Sequence, residues 1–187
     1  MANWIQTFHG RKVDPLNIKV EDIEIGDIAH ALSLKCRFSG MILEHYSVAQ
    51  HSVTVSQYCT NYKLWGLLHD AAEAYMFDAS KPFKDGFRAR FGGMLDVVER
   101  EIMNSVCAKF NLSLEEPHEV KIVDTLLLAT EGKAFFGGTD TYEDWEVRPE
   151  NGYLIIKPYA TVCWTPEQAE NAFLEAFFEL TDQGYRK

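Results

Sequence analysis

The segment Leu64-Trp-Gly-Leu-Leu-His-Asp-Ala-Ala-Glu-Ala-Tyr75 constrains this chain more than any other. It is apolar on nearly every side over helical length, and a helix of that kind belongs in a protein interior. Yet it carries His69, Asp70 and Glu73. Ionised groups are costly to bury without a partner, a metal or a shifted pKa. His69 and Asp70 are adjacent and project about 100° apart on a helix, so both can lean toward one ion over the edge between them. Glu73 follows His69 by four positions and Asp70 by three, which places it on the same face. A hydrogen-bonded core His–Asp pair would account for the dyad alone. Three ionisable groups on one apolar helix point further, to a site.

Two other segments break their patterns in a compatible way. His51 lies between Val48 and Val55 on the inward face of a helix read from Ser47 to about Tyr62. Asp124 lies in Val120-Lys-Ile-Val-Asp-Thr-Leu-Leu-Leu128, with Val120, Leu127 and Leu128 as helical neighbours, so it too faces the core. His51, His69, Asp70 and Asp124 together offer two imidazoles and two carboxylates from three helices. That set suits a divalent ion such as Zn, Mn, Fe or Co and leaves coordination positions open. Two carboxylates neutralise the ion, so an anionic substrate needs further cations nearby. Arg37, between Cys36 and Phe38, is the first candidate, followed by Lys81 and Lys84, with Arg88 close by. An arginine can hold a phosphate through paired hydrogen bonds, although each of these cations also reads as an ordinary solvated side chain. Asp78 either serves the site or caps a turn. His30 reads as capping or packing rather than lining the cleft, His45 and His118 as structural, and His9 as a surface residue.

The remaining pattern is mainly α-helical, in one domain over residues 1–187. Asp27 is a candidate N-cap for a short helix through Leu34, after a short strand at Ile18–Val20. Arg37–His45 reads as a loop, Lys63 to about Phe77 as one helix, and Pro82 with Lys84–Gly86 as a second loop. Gly93 to about Phe110 and Pro117 to about Lys133 read as long helices. Trp145–Val147 and Tyr153–Pro158, joined through Pro149–Gly152, have the pattern of a small β-hairpin near residues 145–158. Thr165-Pro166 opens a final helix with a cap and a first-turn proline.

Composition narrows the partners. The chain has 187 residues, 18 Lys plus Arg and 28 Asp plus Glu, for a formal net charge of −10. Such a surface repels phosphate backbones, so a long nucleic acid is not an expected partner. No apolar run approaches the roughly 18 to 20 residues of a membrane span, and no signal segment precedes Phe8. The four cysteines show no paired metal-ligand spacing. Cys59 and Cys107 read as buried thiols, and the expected compartment is a reducing cytoplasm. The apolar surface of the Gly93–Phe110 helix leaves room for a homodimer or a higher homo-oligomer.

The order His51, His69-Asp70, Asp124 resembles the metal signature of the HD-domain phosphohydrolase superfamily. The dyad alone is weak, but longer stretches are similar to a compact group of HD hydrolases common in phages and prophages. These are Asp27-Ile-Ala-His-Ala-Leu-Ser33, Cys36-Arg-Phe-Ser-Gly40, Tyr46-Ser-Val-Ala-Gln-His-Ser52, Leu68-His-Asp-Ala-Ala-Glu-Ala-Tyr75, Trp4-Ile-Gln-Thr and Trp164-Thr-Pro-Glu-Gln-Ala. The likeness covers nearly the whole chain and extends to bacterial 5′-deoxynucleotidases. There Arg37-Phe38 matches an arginine–aromatic pair before the first histidine. Glu73 matches a glutamate after the dyad, and Asp78-Ala-Ser-Lys-Pro82 matches a nucleotide-contacting turn. The resemblance implies an HD-type helical bundle with His51, His69, Asp70 and Asp124 as ligands to a divalent ion (Co, Mn, Zn, Fe or Mg). It also implies Arg37 as the phosphate-orienting group and Glu73 in proton transfer, with Asp78 beside them. Phe38, Lys81 and Lys84 are implied on the substrate side. Two departures, a shorter interval from His51 to His69 and Met41 after Gly40 where the phage group commonly has histidine, lie near the implied base and sugar pocket.

The expected function is metal-assisted hydrolysis of a nucleotide phosphate ester, with a (deoxy)nucleoside 5′-monophosphate as first substrate. A deoxynucleoside triphosphate triphosphohydrolase is the alternative. An HD-fold di-iron oxygenase requires more histidine ligands than His30, His45 and His118 obviously supply. A non-catalytic nucleotide-binding module leaves Glu73 without a purpose.

Overall fold

In the computed structural model, residues 3–152, 154 and 162–181 are described. Among them the fold is mainly α-helical, with seven α-helices and one two-stranded antiparallel sheet. The sheet is N-terminal. Strand β1 (Ile5–Gln6) pairs with β2 (Lys12–Val13), with Ile5 opposite Val13. The strands are too short to show an alternating pattern, and the reading of the sequence found no hairpin there. At the hairpin read near 145–158, Trp145–Val147 forms no strand and lies between 3₁₀ turns at Asp140–Asp144 and Pro149–Asn151. Positions 153 and 155–158 of its other arm lie outside the described residues.

Helix α1 (Ile25–Leu34) begins before Asp27, so Asp27 is not its N-cap. Instead Asp27 is buried in the first turn, where its Oδ1 accepts from the His9 backbone N–H at 2.9 Å and the His9 ring at 2.8 Å. The stretch read as a strand at Ile18–Val20 runs into a 3₁₀ turn at Val20–Asp22. Helix α2 (Val48–Tyr58) starts at Ser47, whose hydroxyl accepts from the Gln50 N–H. That is the expected hydroxyl cap.

Helix α3 (Lys63–Leu68) is shorter than its apolar run suggests. The regular helix stops at the His69-Asp70 dyad, and the chain continues as a 3₁₀ turn over Ala71–Ala74. The Pro82–Gly86 stretch, read as a loop, is part of helix α4 (Lys81–Phe91). Pro82 occupies the first turn, where a missing backbone N–H costs no helical hydrogen bond. Helices α5 (Met94–Phe110), α6 (His118–Phe136) and α7 (Pro166–Leu180) complete the bundle. Thr165 caps α7 as its sequence predicts, with Gln168 returning the bond.

Helix α2 is the pillar, packed against α1, α3, α6 and α7. Its residues Val48 to Ser56 are all buried. One cluster joins Ile28, Leu32, Val53, Leu67, Leu68, Ile102, Phe173 and Phe177. A second joins Val55, Cys59, Trp65, Cys107, Val120 and Leu127. Helices α2 and α3 approach closely at Gly66. A Cβ there would lie 3.1 Å from Cys59 Sγ and 3.3 Å from Ser56 Cα. This absence of a side chain brings the end of α3, and with it His69, against the middle of α2. No helix among the described residues is long and apolar enough to cross a membrane.

Candidate metal centre

Most polar side chains of the buried pillar have clear partners, although the Ser52 hydroxyl has none among the described residues. Gln50, Thr54 and Ser56 are satisfied by backbone. Gln50 reaches Val162 O at 2.6 Å and accepts from Trp164 N–H at 2.9 Å. Thr54 bonds Gln50 O, and Ser56 bonds Lys63 O. His51 is different, because its partners are side chains from two other segments, the His69-Asp70 dyad and α6.

His51 Nδ1 lies 2.7 Å from Glu131 Oε1. His69 Nδ1 lies 2.8 Å from Gly66 O. A carboxylate and a carbonyl are acceptors, so both Nδ1 atoms are donors. In the neutral rings both Nε2 atoms then carry lone pairs, and these face each other at 3.3 Å. Asp70 Oδ2 lies 3.2 Å from His69 Nε2 and 3.9 Å from His51 Nε2. Asp124 Oδ1 lies 3.1 Å from His51 Nε2 and 4.0 Å from His69 Nε2. His51 Nε2, His69 Nε2 and Asp70 Oδ2 thus form one close group, and Asp124 Oδ1 lies against its imidazoles. Atoms about 2.1 Å from a shared ion stand about 3.0 Å apart at a right angle and about 3.4 Å apart at the tetrahedral angle. His51, His69 and Asp70 fit a metal ion in chemistry and mutual spacing and form a group that can hold one.

Local structure explains the convergence. Regular helix ends at Leu68, just before the dyad. The break after Leu68 gives Asp70 φ −100° and ψ 14°, and both side chains then face α2. His51 is fully buried, whereas the Asp124 side chain keeps 37% of its surface exposed, so the cluster opens toward solvent on the α6 side.

Charges in the cluster favour a cation. Burial pulls the His69 pKa down, but Asp70 and Asp124 outweigh it and carry it up to about 9. His51 is likewise raised despite its burial and the nearby Arg37, through Glu131 and Asp124. Burial pushes Asp70 upward, yet His69, His51 and Arg37 hold it well below the usual carboxylate range.

Arg37 flanks the cluster. Its Nη1 lies 3.7 Å from Asp70 Oδ2 and its Nε 3.0 Å from Glu131 Oε2. The guanidinium is held firmly charged, because Glu131, Asp70 and Asp124 outweigh the effect of its burial. The following residues, Phe38 and Ser39, have φ of 56° and 53°. Left-handed backbone at two consecutive non-glycine positions is uncommon and costs energy. The bend turns Phe38 onto Phe135, Phe136 and Trp145, with ring centroids 6.0, 5.3 and 6.1 Å away.

Glu73 is buried on the other flank, and its Oε2 has no hydrogen-bond partner among the described residues. Burial first, then Asp70 and Asp78, push its pKa up to about 9. Burial also raises Asp78. The turn carrying Glu73 is braced by Lys35, whose ammonium donates to the carbonyls of Glu73 and Met76. Lys84 senses Glu73 and Asp70 but also pairs with Glu99 at 2.8 Å. Lys81 is not brought to the cluster: its side chain is 73% exposed and pairs with Asp85. Arg88 pairs with Asp85 and Asp96 at the surface. His30 pairs with Glu170 and stacks on Phe8, while His45 bonds Ser33 O.

Glu131, Lys35 and Tyr46 are the neighbours that the sequence reading missed. Glu131 carried a usable signal, since it follows Asp124 by seven positions, two helical turns along the same face. Lys35 and Tyr46 had none, because their partners are distant in sequence.

No protein-family model matches the chain. Uncharacterized protein YfdR of Escherichia coli (strain K12) is 33% identical over 183 residues, covering 96% of this chain and 97% of YfdR. An uncharacterized protein of Rhodobacter capsulatus, RCAP_rcc00048, is 29% identical over 184 residues, covering 91% of each. With that identity to YfdR along nearly the full length of both proteins, the chain belongs to the YfdR family.

Proposed function

We propose that this chain is a cytoplasmic, metal-dependent phosphohydrolase of the HD type that hydrolyses (deoxy)nucleoside 5′-monophosphates. The observation that carries the reading is the close grouping of His51 Nε2, His69 Nε2 and Asp70 Oδ2 beside Arg37, with Asp124 Oδ1 3.1 Å from His51 Nε2. These four residues would hold a divalent ion, which when bound lowers the pKa of a water molecule and offsets charge on a phosphoryl group.

The protein's own groups do the rest. Arg37 spends its Nε on Glu131, which leaves its two terminal nitrogens to grip phosphate oxygens. Glu73 keeps its proton at neutral pH in the metal-free protein. A cation on the cluster draws that pKa down toward the working range of a proton-transfer group, so Glu73 serves the leaving oxygen or the attacking water. Asp78 stands beside it with a pKa also raised by burial. The aromatic wall of Phe38, Phe135, Phe136 and Trp145 offers a stacking surface for a base.

Cation supply favours a monophosphate over a triphosphate. Arg37 faces the cluster and Lys84 lies near it, while Lys81 and Arg88 are engaged at the surface. The oxygenase reading lacks support, since His30 and His45, two of its three candidate ligands, have partners elsewhere. Product analysis tests the proposal. Inorganic phosphate from 5′-monophosphates supports it, and tripolyphosphate from triphosphates as the sole product overturns the substrate assignment.

A further inference from the structure

Glu131 is a fully buried carboxylate with polar partners on both of its oxygens. Its two oxygens have different clients. Oε1 accepts the Nδ1 proton of His51 at 2.7 Å, and Oε2 accepts the Nε proton of Arg37 at 3.0 Å. The Tyr46 hydroxyl supplies a further hydrogen bond. Burial raises the pKa of this carboxylate, but Arg37 and His51 more than offset it and keep Glu131 ionised. Isolated burial of a carboxylate is expensive, and a leucine would suit this interior better unless the charge has a use.

The geometry suggests what that use is. A neutral imidazole that donates from Nδ1 presents its lone pair at Nε2, here the atom 3.3 Å from His69 Nε2 and 3.1 Å from Asp124 Oδ1. A hydrogen bond from the distal ring nitrogen to a carboxylate fixes a ligand's tautomer and raises its basicity. A guanidinium that donates from Nε to the same carboxylate is fixed in rotation, with its terminal nitrogens facing Asp70, 3.7 Å away. A single side chain therefore sets both the metal-facing atom of His51 and the orientation of Arg37.

We propose that Glu131 is a positioning residue shared by the two halves of the site, fixing His51 for the metal through one oxygen and Arg37 for phosphate through the other. This rests on the metal-dependent reading of the cluster. It departs from a purely structural role, in which Glu131 would neutralise Arg37 and affect only stability.

The test uses the full-length chain stripped of metal, then titrated with Co²⁺ and followed by visible absorption. Inorganic phosphate is next titrated onto the cobalt-loaded protein. Glu131→Gln keeps the shape but replaces one acceptor with an amide N–H₂, which cannot accept a hydrogen bond. It is expected to weaken Co²⁺ binding roughly 10- to 100-fold, alter the ligand-field spectrum and weaken phosphate binding. Glu131→Asp, which retains the charge at shorter reach, recovers part of the metal affinity. Unchanged cobalt affinity and spectrum in Glu131→Gln, beside normal uptake by the unsubstituted protein, overturn this inference alone. Unchanged phosphate affinity overturns its Arg37 half. Failure of the unsubstituted protein to take up cobalt overturns the metal reading itself. Should Glu131→Gln not fold, long-range ¹H–¹⁵N NMR of the unsubstituted, Zn²⁺-loaded protein decides. A proton on His51 Nδ1 supports the inference, and its absence overturns it.

Discussion

His51 and His69 point their Nε2 atoms at each other across 3.3 Å. With both Nδ1 protons given to Glu131 and Gly66, the neutral rings have nothing to donate across that gap. Facing lone pairs flanked by two carboxylates are stable only with a proton or a metal between them. Replacing Asp70 with Ala removes a negative group from this point. We expect Asp70→Ala to abolish stoichiometric metal uptake and turnover together while leaving the helical circular dichroism intact. Metal analysis of the purified variant beside the parent checks this.

Gly66 sets the spacing between the two histidines. A methyl group at position 66 would press on Cys59 Sγ at 3.1 Å and on the Ser56 backbone at 3.3 Å. Moving the end of α3 outward takes His69 with it. Gly66→Ala is predicted to cost about 1–3 kcal/mol of stability and to weaken metal binding disproportionately. Phe173→Ala, in the core on α7, is predicted to cost about 3–5 kcal/mol with metal affinity retained below its melting point. Denaturation and metal titration of the pair separate the two effects.

Glu73 makes the metal-free protein sensitive to alkali. A carboxyl whose folded pKa is raised above 4.5 to about 9 binds its proton more tightly when folded. Its contribution is fully present below pH 4.5 and is lost as pH rises through about 9, because the unfolded chain then binds fewer protons than the folded one. Glu73→Gln mimics the protonated form. In chelator its melting temperature should exceed the parent's by a margin that grows from pH 5 to pH 9, while its turnover with metal falls. A constant margin contradicts the assigned environment of Glu73.

Arg37 and Lys81 should behave oppositely. Arg37 is 15% exposed and bonded to Glu131 beside Asp70, whereas Lys81 is 73% exposed and pairs with Asp85 on its own helix. Arg37→Ala is expected to lower kcat/KM by about 10²–10³-fold, in line with the removal of a preorganised charge donor. Lys81→Ala should change stability by less than about 0.5 kcal/mol and leave kcat/KM nearly unchanged. Steady-state kinetics on one phosphate ester distinguish them.

His51 and His69 were legible because each is a polar residue within an apolar stretch, a conflict that burial exposes, whereas Asp124 keeps 37% of its side chain exposed and lies at the edge of its apolar face rather than in the core. Helix α7 was legible because Thr165 and Pro166 mark its start chemically. Helix α4 was not, since Pro82 and Gly86 look like breakers until Pro82 falls in a first turn. The early end of α3 was hidden for another reason. Its apolar run continues through Ala71 and Ala72, and only the pull of His69 and Asp70 toward a shared point shows why regular helix stops there. The role of Glu131 depends on Arg37, ninety-four positions away in the chain, a pairing that no local pattern encodes.

Release of inorganic phosphate from deoxynucleoside 5′-monophosphates, measured with Mn²⁺, Co²⁺, Zn²⁺ or Mg²⁺ and again in chelator, tests the central claim most directly. Release is expected to depend on added metal, to stop in chelator and to be absent from Asp70→Ala. Equal release in chelator, or none from any nucleotide with any of the four metals, would contradict it.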